Sequence, residues 1–409
     1  MKRFTIQNLA ILLLLNASIV FGQRMSREQA VQTALQNNQM IKSAEFQVEY
    51  FKQLKKTGTD IGKMSAVWMH GQYNSIYQDN NLMLTQTLPF PTALGAQVRL
   101  GKEQVIGSEK NLVMAQNSLV FEVKTAYEQL LYQEALKKLL LSQDSLYADF
   151  AKASSSRYKA GESNLLEKTT AETQSLEVKN LVRQNDADIQ ISSARIQALL
   201  KSESPVEAGD LLKRQTPPDE AISFQKNPQL DYLKQQIMIS GQFKKLERNK
   251  ILPDLMVGYF VQSLTGIQNI NGQDQFYPRS YRFQGFQLGL GIPLWFAPHL
   301  ARSKAAAYQE EASRKNAEYF ETTLGGAYSQ AIKELEKSQA GLNYYETSAL
   351  QNADLILSQA RKAYRGGEIG YIEYLQSLRN ALSIKSNYLS SLNQFNQSIV
   401  KLEYLLGIF

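Results

Sequence analysis

Two stretches of this chain, Ala93 to Ala160 and Leu300 to Gly366, run without a proline and are patterned as helix throughout. At about 1.5 Å per residue, roughly 65 residues make a helix near 100 Å long. A globular domain has no room for such an element, so much of the chain must be tubular or fibrous. Each stretch ends in nearly the same glycine-broken phrase. "YKAGESNLLE" begins at Tyr158 and "YRGGEIGYIE" at Tyr364, which is 364 − 158 = 206 residues later.

Other landmarks recur in the same order. "QTLPF" at Leu88-Pro89 answers "LGIPLW" at Ile292-Pro293, "VKTAYEQL" at Tyr127 answers "LGGAYSQA" at Tyr328, and "ARIQALLK" ending at Lys201 answers "VKLEYLLG" ending at Gly407. Their offsets are 204, 201 and 206 residues. Such recurrence marks a duplicated unit of roughly 190 residues, with residues 23–201 as the first copy and 220–409 as the second. Residues 202–219, rich in proline and charge, read as a linker or equatorial surface excursion between them.

Each copy follows one grammar. A helix opens it: Ser26 is placed to cap "REQAVQTALQNN", with Ala30, Val31, Ala34 and Leu35 on one face. Its counterpart spans about Pro228 to Ile251. Strands follow, expected at about 66–77 and 81–89 in the first copy and about 254–264 and 281–293 in the second. In the second copy Leu255, Val257, Tyr259 and Val261 alternate with Met256, Gly258, Phe260 and Gln262. Phe286, Leu288, Leu290 and Ile292 likewise alternate with Gln287, Gly289 and Gly291. Apolar residues facing polar ones or glycine at period two are the signature of a lipid-facing barrel strand. The polar segment from Thr265 to Pro278 reads as a loop. Long helices are expected at about 93–160 and 299–366, and returning helices at about 163–201 and 369–406. In the last of these Leu375, Leu378, Leu382, Lys385, Leu389, Leu392, Asn396 and Ile399 form a coiled-coil seam with two polar interruptions.

The fold class is therefore mainly α with a membrane β-barrel portion. Four strands per chain cannot close a barrel, since about eight is the smallest number that does. Several copies must share one. Trp68, Phe90, Tyr281 and Trp295 stand at strand ends, where an interfacial aromatic girdle belongs.

Composition narrows the function. Lys2, Arg3, the apolar run Leu9 to Leu15 and small residues around Gly22 read as a signal peptide over residues 1–22, so the chain is expected to be exported. Without it the formal charge is 45 − 2 − 38 = +5, too little for a nucleic-acid footprint. The sequence contains no cysteine, which removes disulfides, thiolate metal sites and a catalytic thiol. With only His70 and His299, a histidine metal site or catalytic triad is hard to assemble. No cofactor and no enzyme activity are expected. The carboxylates Glu310-Glu311, Glu334, Glu336, Asp186 and Asp188 read as the wet face of long helices rather than as catalytic pairs. Met64, Met69 and Met83 flank the first strand region. Their thioethers could bind a soft cation, but packing in the core or against lipid is the plainer expectation.

With these features assembled, the chain resembles the TolC family of outer-membrane efflux ducts over nearly its whole mature length. "SREQAVQTALQNNQ" from Ser26 is similar to the family's opening phrase, with Gln39 where the family carries proline. "LPDL" at Pro253 and the glycine phrases at Tyr158 and Tyr364 also match family positions. "TQTLPFPTALGAQ" from Thr85 is similar to the heavy-metal branch. The resemblance implies a homotrimer with a shared twelve-stranded barrel in the outer membrane and a twelve-helix tunnel in the periplasm. It further implies a passive exit for cargo, with energy from an inner-membrane pump of the RND type and a periplasmic adaptor joining the two. The hairpin residues Tyr158, Lys159, Gly161, Glu162, Tyr364, Arg365, Gly367 and Glu368 would then ring the tunnel tip and meet the adaptor. The alternative is a secreted or surface coiled-coil structural protein whose strands are ordinary hairpins.

Overall fold

The computed structural model describes residues 23–219 and 223–409; the expected signal peptide lies outside the described residues. In chain order the elements are β1 (Gln23–Met25), α1 (Arg27–Asn37), α2 (Gln39–Lys56), β2 (Ser65–Gly71), β3 (Asp79–Leu88), α3 (Pro91–Lys159), α4 (Leu165–Leu200), β4 (Val206–Ala208), α5 (Pro228–Asn249), β5 (Asp254–Gln262), β6 (Gly266–Ile270), β7 (Gln273–Tyr277), β8 (Phe283–Gly291), α6 (Phe296–Tyr344), α7 (Leu350–Gly366) and α8 (Tyr371–Leu406). Between α6 and α7 the chain stays helical through one wide π turn, Tyr345–Ala349. The duplication is thus visible as two strand pairs, each leading into a long helix and a returning one.

Two compact units divide the chain. One holds the described residues up to Lys42, Ala115–Asn227 and Thr322–Phe409; the other holds Ser43–Met114 and Pro228–Glu321.

The first unit is helical. Its entry is capped as expected: Ser26 Oγ accepts from the Gln29 N–H at 3.2 Å, and Gln29 Oε1 accepts from the Ser26 N–H at 2.9 Å. This reciprocal box satisfies two donors that the first turn would otherwise leave free. A core of Tyr147, Phe150, Ala171, Val178, Tyr374, Leu375, Leu378 and Leu382 joins α3, α4 and α8. The seam positions Leu375, Leu378, Leu382, Leu392 and Ile399 are all buried.

The linker is a strap rather than a free excursion. β4 pairs in parallel with β1, matching Arg24 to Glu207 and Met25 to Ala208. Ser193 Oγ donates to the Val206 carbonyl at 2.7 Å and accepts from the Val206 N–H at 3.0 Å. The Tyr127 hydroxyl, 2.8 Å from the Met25 carbonyl and 3.0 Å from Asp210 Oδ2, accepts from the Gly209 N–H at 3.2 Å. Asn396, a polar interruption of the seam, is the strap's anchor. Its amide donates to Glu128 Oε2 and to the Lys213 carbonyl, both at 2.9 Å, and accepts from the Gln215 N–H at 3.1 Å. Glu128 is fully buried and also takes bonds from Arg27 at 3.2 Å and Gln215 Nε2 at 3.1 Å. Burial pushes its carboxyl above the ordinary range, opposed by the bonds from Asn396 and Arg27.

The second unit carries an antiparallel four-stranded sheet in the order β2-β3-β5-β8, leaving β2 and β8 as open edges. Beneath its helices, Ala96, Leu100 and Leu246 form a small core, and Lys244 pairs with Glu310 at 2.7 Å. β2 ends at Gly71, short of the expected residue 77, because Gly71 turns at φ +148° and the polar residues after it leave the sheet. The segment expected to be a loop instead contains the β6–β7 hairpin. Asn271 and Gly272, at φ +53° and +85°, supply the left-handed pair that a tight two-residue turn needs.

Candidate functional site

The two glycine phrases build the same turn. At the end of α3, Gly161 adopts φ +76°, its N–H donates to the Tyr158 carbonyl at 3.1 Å, and the Glu162 N–H donates to the Arg157 carbonyl at 2.9 Å. At the end of α7, Gly367 adopts φ +74°, with Gly367 N–H to Tyr364 O at 3.2 Å and Glu368 N–H to Ala363 O at 2.8 Å. Both are Schellman closures, which satisfy the last carbonyls of a helix and require a left-handed residue. A Cβ at either glycine would meet nothing within 4 Å, so the constraint is the backbone angle and not space. The returning helices begin at once. Asn164 Oδ1 caps α4 by accepting from the Glu167 N–H at 2.8 Å, and Glu373 Oε2 accepts from the Gly370 N–H at 3.1 Å.

The structure brings the two hairpins together through groups that sequence reading missed. Arg157 Nη1 donates to the Tyr364 hydroxyl at 3.2 Å, and that hydroxyl donates to Glu167 Oε1 at 3.0 Å. Arg157 also pairs with Glu167 at 3.3 Å. The Tyr364 ring stacks on Tyr374, with centroids 4.5 Å apart and planes 8° from parallel, and meets Phe150 edge-on. Burial raises the Tyr364 phenol above its usual range, with Arg157 and Glu167 acting in opposite senses. Tyr364 is therefore a clamp between the hairpins, half-buried, and not a group offered to a partner. Its counterpart Tyr158 is exposed, with Lys168 Nζ 5.3 Å above its ring. Lys159, Glu162, Arg365 and Glu368 are exposed around the turns. Beside them three apolar side chains also face out: Leu165 at 58%, Leu166 at 65% and Ile372 at 63% exposed. Each breaks the apolar-inside rule on a returning helix, and that was the available signal.

The sheet gathers the other expected residues. Its register pairs Leu290 with Leu255, Leu288 with Val257 and Phe286 with Tyr259; these continue through Leu88, Gln86 and Leu84 of β3. Cross-strand partners share a face, so one side of the sheet is mostly apolar, with Gln86 and Gln284 as polar members. Phe286 and Leu288 are each more than four-fifths exposed. Trp68 lies on this side, opposite Leu82. Phe90 and Trp295 follow β3 and β8 at the end where the chain enters helices, and Tyr281 precedes β8 at the other end. The four aromatics thus fall near both margins of the apolar band.

Thr85, Thr87, Gln287 and glycines share the opposite face with Met69, Met83, Met256, Val67, Phe260 and Phe283. The register sets Met69 and Met83 on the side away from the apolar rows. Among the described residues no group of three or more His, Asp and Glu side chains gathers as a metal site. His70 instead contacts Asn80 at 2.8 Å and Arg279 at 3.1 Å. Asp186 pairs with Lys137 and Glu336 with Lys333, in keeping with a wet helical face. No helix among the described residues is long and apolar enough to cross a membrane.

Residues 222–408 match the family described as outer membrane efflux protein. Among solved structures, the chain is similar to the channel CusC, with a TM-score of 0.77 at 15% identity over 96% of this chain and 94% of that one. VceC of Vibrio cholerae gives 0.75 at 15% identity, covering 93% and 96%. CmeC of Campylobacter jejuni gives 0.74 at 15% identity, covering 93% and 85%. No curated protein sequence matches. The match to the outer membrane efflux protein family thus lies in the second half of the chain, and the described chain as a whole shares the fold of these solved structures.

Proposed function

We propose that this chain, with its outer membrane efflux protein domain, is the outer-membrane channel of a tripartite efflux system, extending from that membrane into the periplasm. The observation that carries the reading is the four-stranded sheet with one apolar face and two open edges. A closed barrel of about eight strands is the least that can span a membrane. Four strands therefore need other copies, and three copies give twelve. The channel is passive, energy comes from an inner-membrane pump of the RND type, and a periplasmic adaptor bridges the two. No catalytic role is assigned to any residue.

The paired hairpins are the adaptor's docking site. The Arg157–Tyr364–Glu167 clamp holds two equivalent turns side by side, while Tyr158, Lys159, Glu162, Arg365 and Glu368 offer mixed charge. Leu165, Leu166 and Ile372 supply the apolar anchors that a helical partner would cover. For cargo, heavy-metal cations are supported by Met69, Met83 and Met256 on the face away from lipid, where thioethers favour soft cations. Arms with copper, zinc, a dye and a drug would separate cargo classes in cells lacking the channel.

The deciding experiment is fractionation with crosslinking. A trimer in the outer membrane, crosslinking to the adaptor through a photoreactive group at position 166, is the expected result. A soluble elongated oligomer would overturn the channel and restore the coiled-coil structural alternative.

A further inference from the structure

At the end of the sheet remote from the long helices, polar groups collect on the apolar side. His70 and Asn80 are cross-strand partners one pair beyond Trp68 and Leu82, so all four share the lipid-side face. Onto them folds the guanidinium of Arg279, whose Nη2 lies 3.1 Å from His70 Nδ1 and 3.3 Å from Asn80 Oδ1. Three residues on, the Arg282 guanidinium donates to the Arg279 carbonyl. Trp68 stacks on His70 with centroids 5.7 Å apart, and Tyr281 stands half-exposed between the two arginines in sequence.

The charges here are not balanced within the chain. Among the described residues neither Arg279 nor Arg282 makes an ion pair. The nearby carboxylates are turned elsewhere. Asp79 pairs across from Gly71, on the opposite face from His70, and its oxygens are taken by Ser75, Ser263 and the Thr265 N–H. Asp274 is bonded by Asn269 in the β6–β7 hairpin. Two cations in one short loop, unopposed by acid, lie at this end of the sheet, Arg279 against His70 and Asn80 and Arg282 immediately before β8. An arginine fork suits phosphate oxygens, and an aromatic belt with apolar rows below suits acyl chains.

We propose that Arg279 and Arg282, supported by His70, Asn80, Trp68 and Tyr281, form a binding site for the phosphate of an anionic lipid in the outer leaflet. The proposal rests on the outer-membrane reading above. The occupant is a lipid phosphate and not a free anion, because the cations lie at the margin of a face built for acyl chains. A basic residue near a charged membrane surface contributes about fivefold in affinity, so removing both should weaken each site about 25-fold.

The test uses the full mature protein in vesicles of neutral lipid doped with bisphosphorylated lipid A, or with the same lipid dephosphorylated. Retained glycolipid is counted by native mass spectrometry after extraction. Retention of the phosphorylated form, lost about 25-fold in Arg279→Gln/Arg282→Gln and largely restored in Arg279→Lys/Arg282→Lys, is the expected result. Arg302→Gln, on α6 at the opposite end of the sheet, should leave retention unchanged. Equal retention of both lipids, or no loss in the double Gln variant, overturns the proposal. Displacement of the lipid by millimolar inorganic phosphate also overturns it, assigning the site to free anions. Insertion is followed separately by vesicle flotation. A protein that inserts without discriminating lipids sinks this site alone, whereas failure to insert in any vesicle sinks the channel reading with it.

Discussion

Replacing Asn396 with leucine should release the strap while leaving the helices folded. The carboxamide makes three bonds: one to the Glu128 carboxyl that also pairs with Arg27, one to the Lys213 carbonyl and one from the Gln215 N–H. A bond to a charged group is worth about 1.5–3 kcal/mol and each neutral one about 1 kcal/mol, so the site loses about 3.5–5 kcal/mol. Leucine fills a similar volume in an apolar seam, and its burial returns about 1–2 kcal/mol. The net local cost is therefore about 1.5–4 kcal/mol. Most of it falls on residues 206–215, because Lys213 and Gln215 can turn to water by lifting off. Amide exchange read by mass spectrometry on the purified protein should accelerate about 10- to 1000-fold in that segment, with little change in α4. Unchanged exchange at 206–215 would refute the view that Asn396 anchors the strap. Equal acceleration everywhere would show that it holds the bundle instead.

Other outcomes follow from the same geometry. Gly367→Val forces a β-branched residue to φ +74° and should lower stability by about 1–3 kcal/mol, whereas Gly366→Ala should be tolerated; thermal melting of the two variants checks this. Glu128 gives a signed pH effect. Its native carboxyl binds protons more tightly than the unfolded one, whose value is near 4.5, so its contribution is intact below that pH and declines as pH climbs through the raised native value. The bonds from Asn396 and Arg27 oppose the rise and Asp210 reinforces it. Melting curves from pH 4 to 8 should show this decline in the wild type and its absence in Glu128→Gln. Leu288→Arg, on the apolar face, should cost about 2–4 kcal/mol and depress assembly in the membrane, while Gln287→Arg on the opposite face should assemble normally; heat-modified migration distinguishes them.

Local rules explain what the sequence disclosed. The hairpins were legible because a Schellman turn is written by glycine at a fixed place after a helix, and two copies made the phrase conspicuous. β5 and β8 were legible because strict alternation leaves one register for a buried or lipid-covered face. β2 was blurred because His70 and Gly71 break that alternation. The β6–β7 hairpin was passed over although Asn271-Gly272 between two short runs is a strong turn signal; the flanking residues are polar and did not read as strand. Glu128 and Glu167 were invisible as structural hubs, because a buried glutamate on a long helix is spelled like a wet one. Arg157 and Glu167 meet Tyr364 across about 200 residues of chain, and no local pattern records that contact.

The π turn at Tyr345–Ala349 bears on how the two copies diverged. Tyr127 to Tyr158 spans 31 residues, while Tyr328 to Tyr364 spans 36, so the second copy holds five more. Five extra residues in an unbroken helix would rotate everything downstream by about 500°, leaving it about 140° out of phase. A π turn takes up one residue without advancing the spiral. The remaining four turn about 400°, within about 40° of a whole number of turns. The insertion therefore lengthened one arm while returning Tyr364 and Ala360 to nearly the azimuth their counterparts hold. A duplicated helix can in this way change its reach between copies and still present the same side to its neighbours.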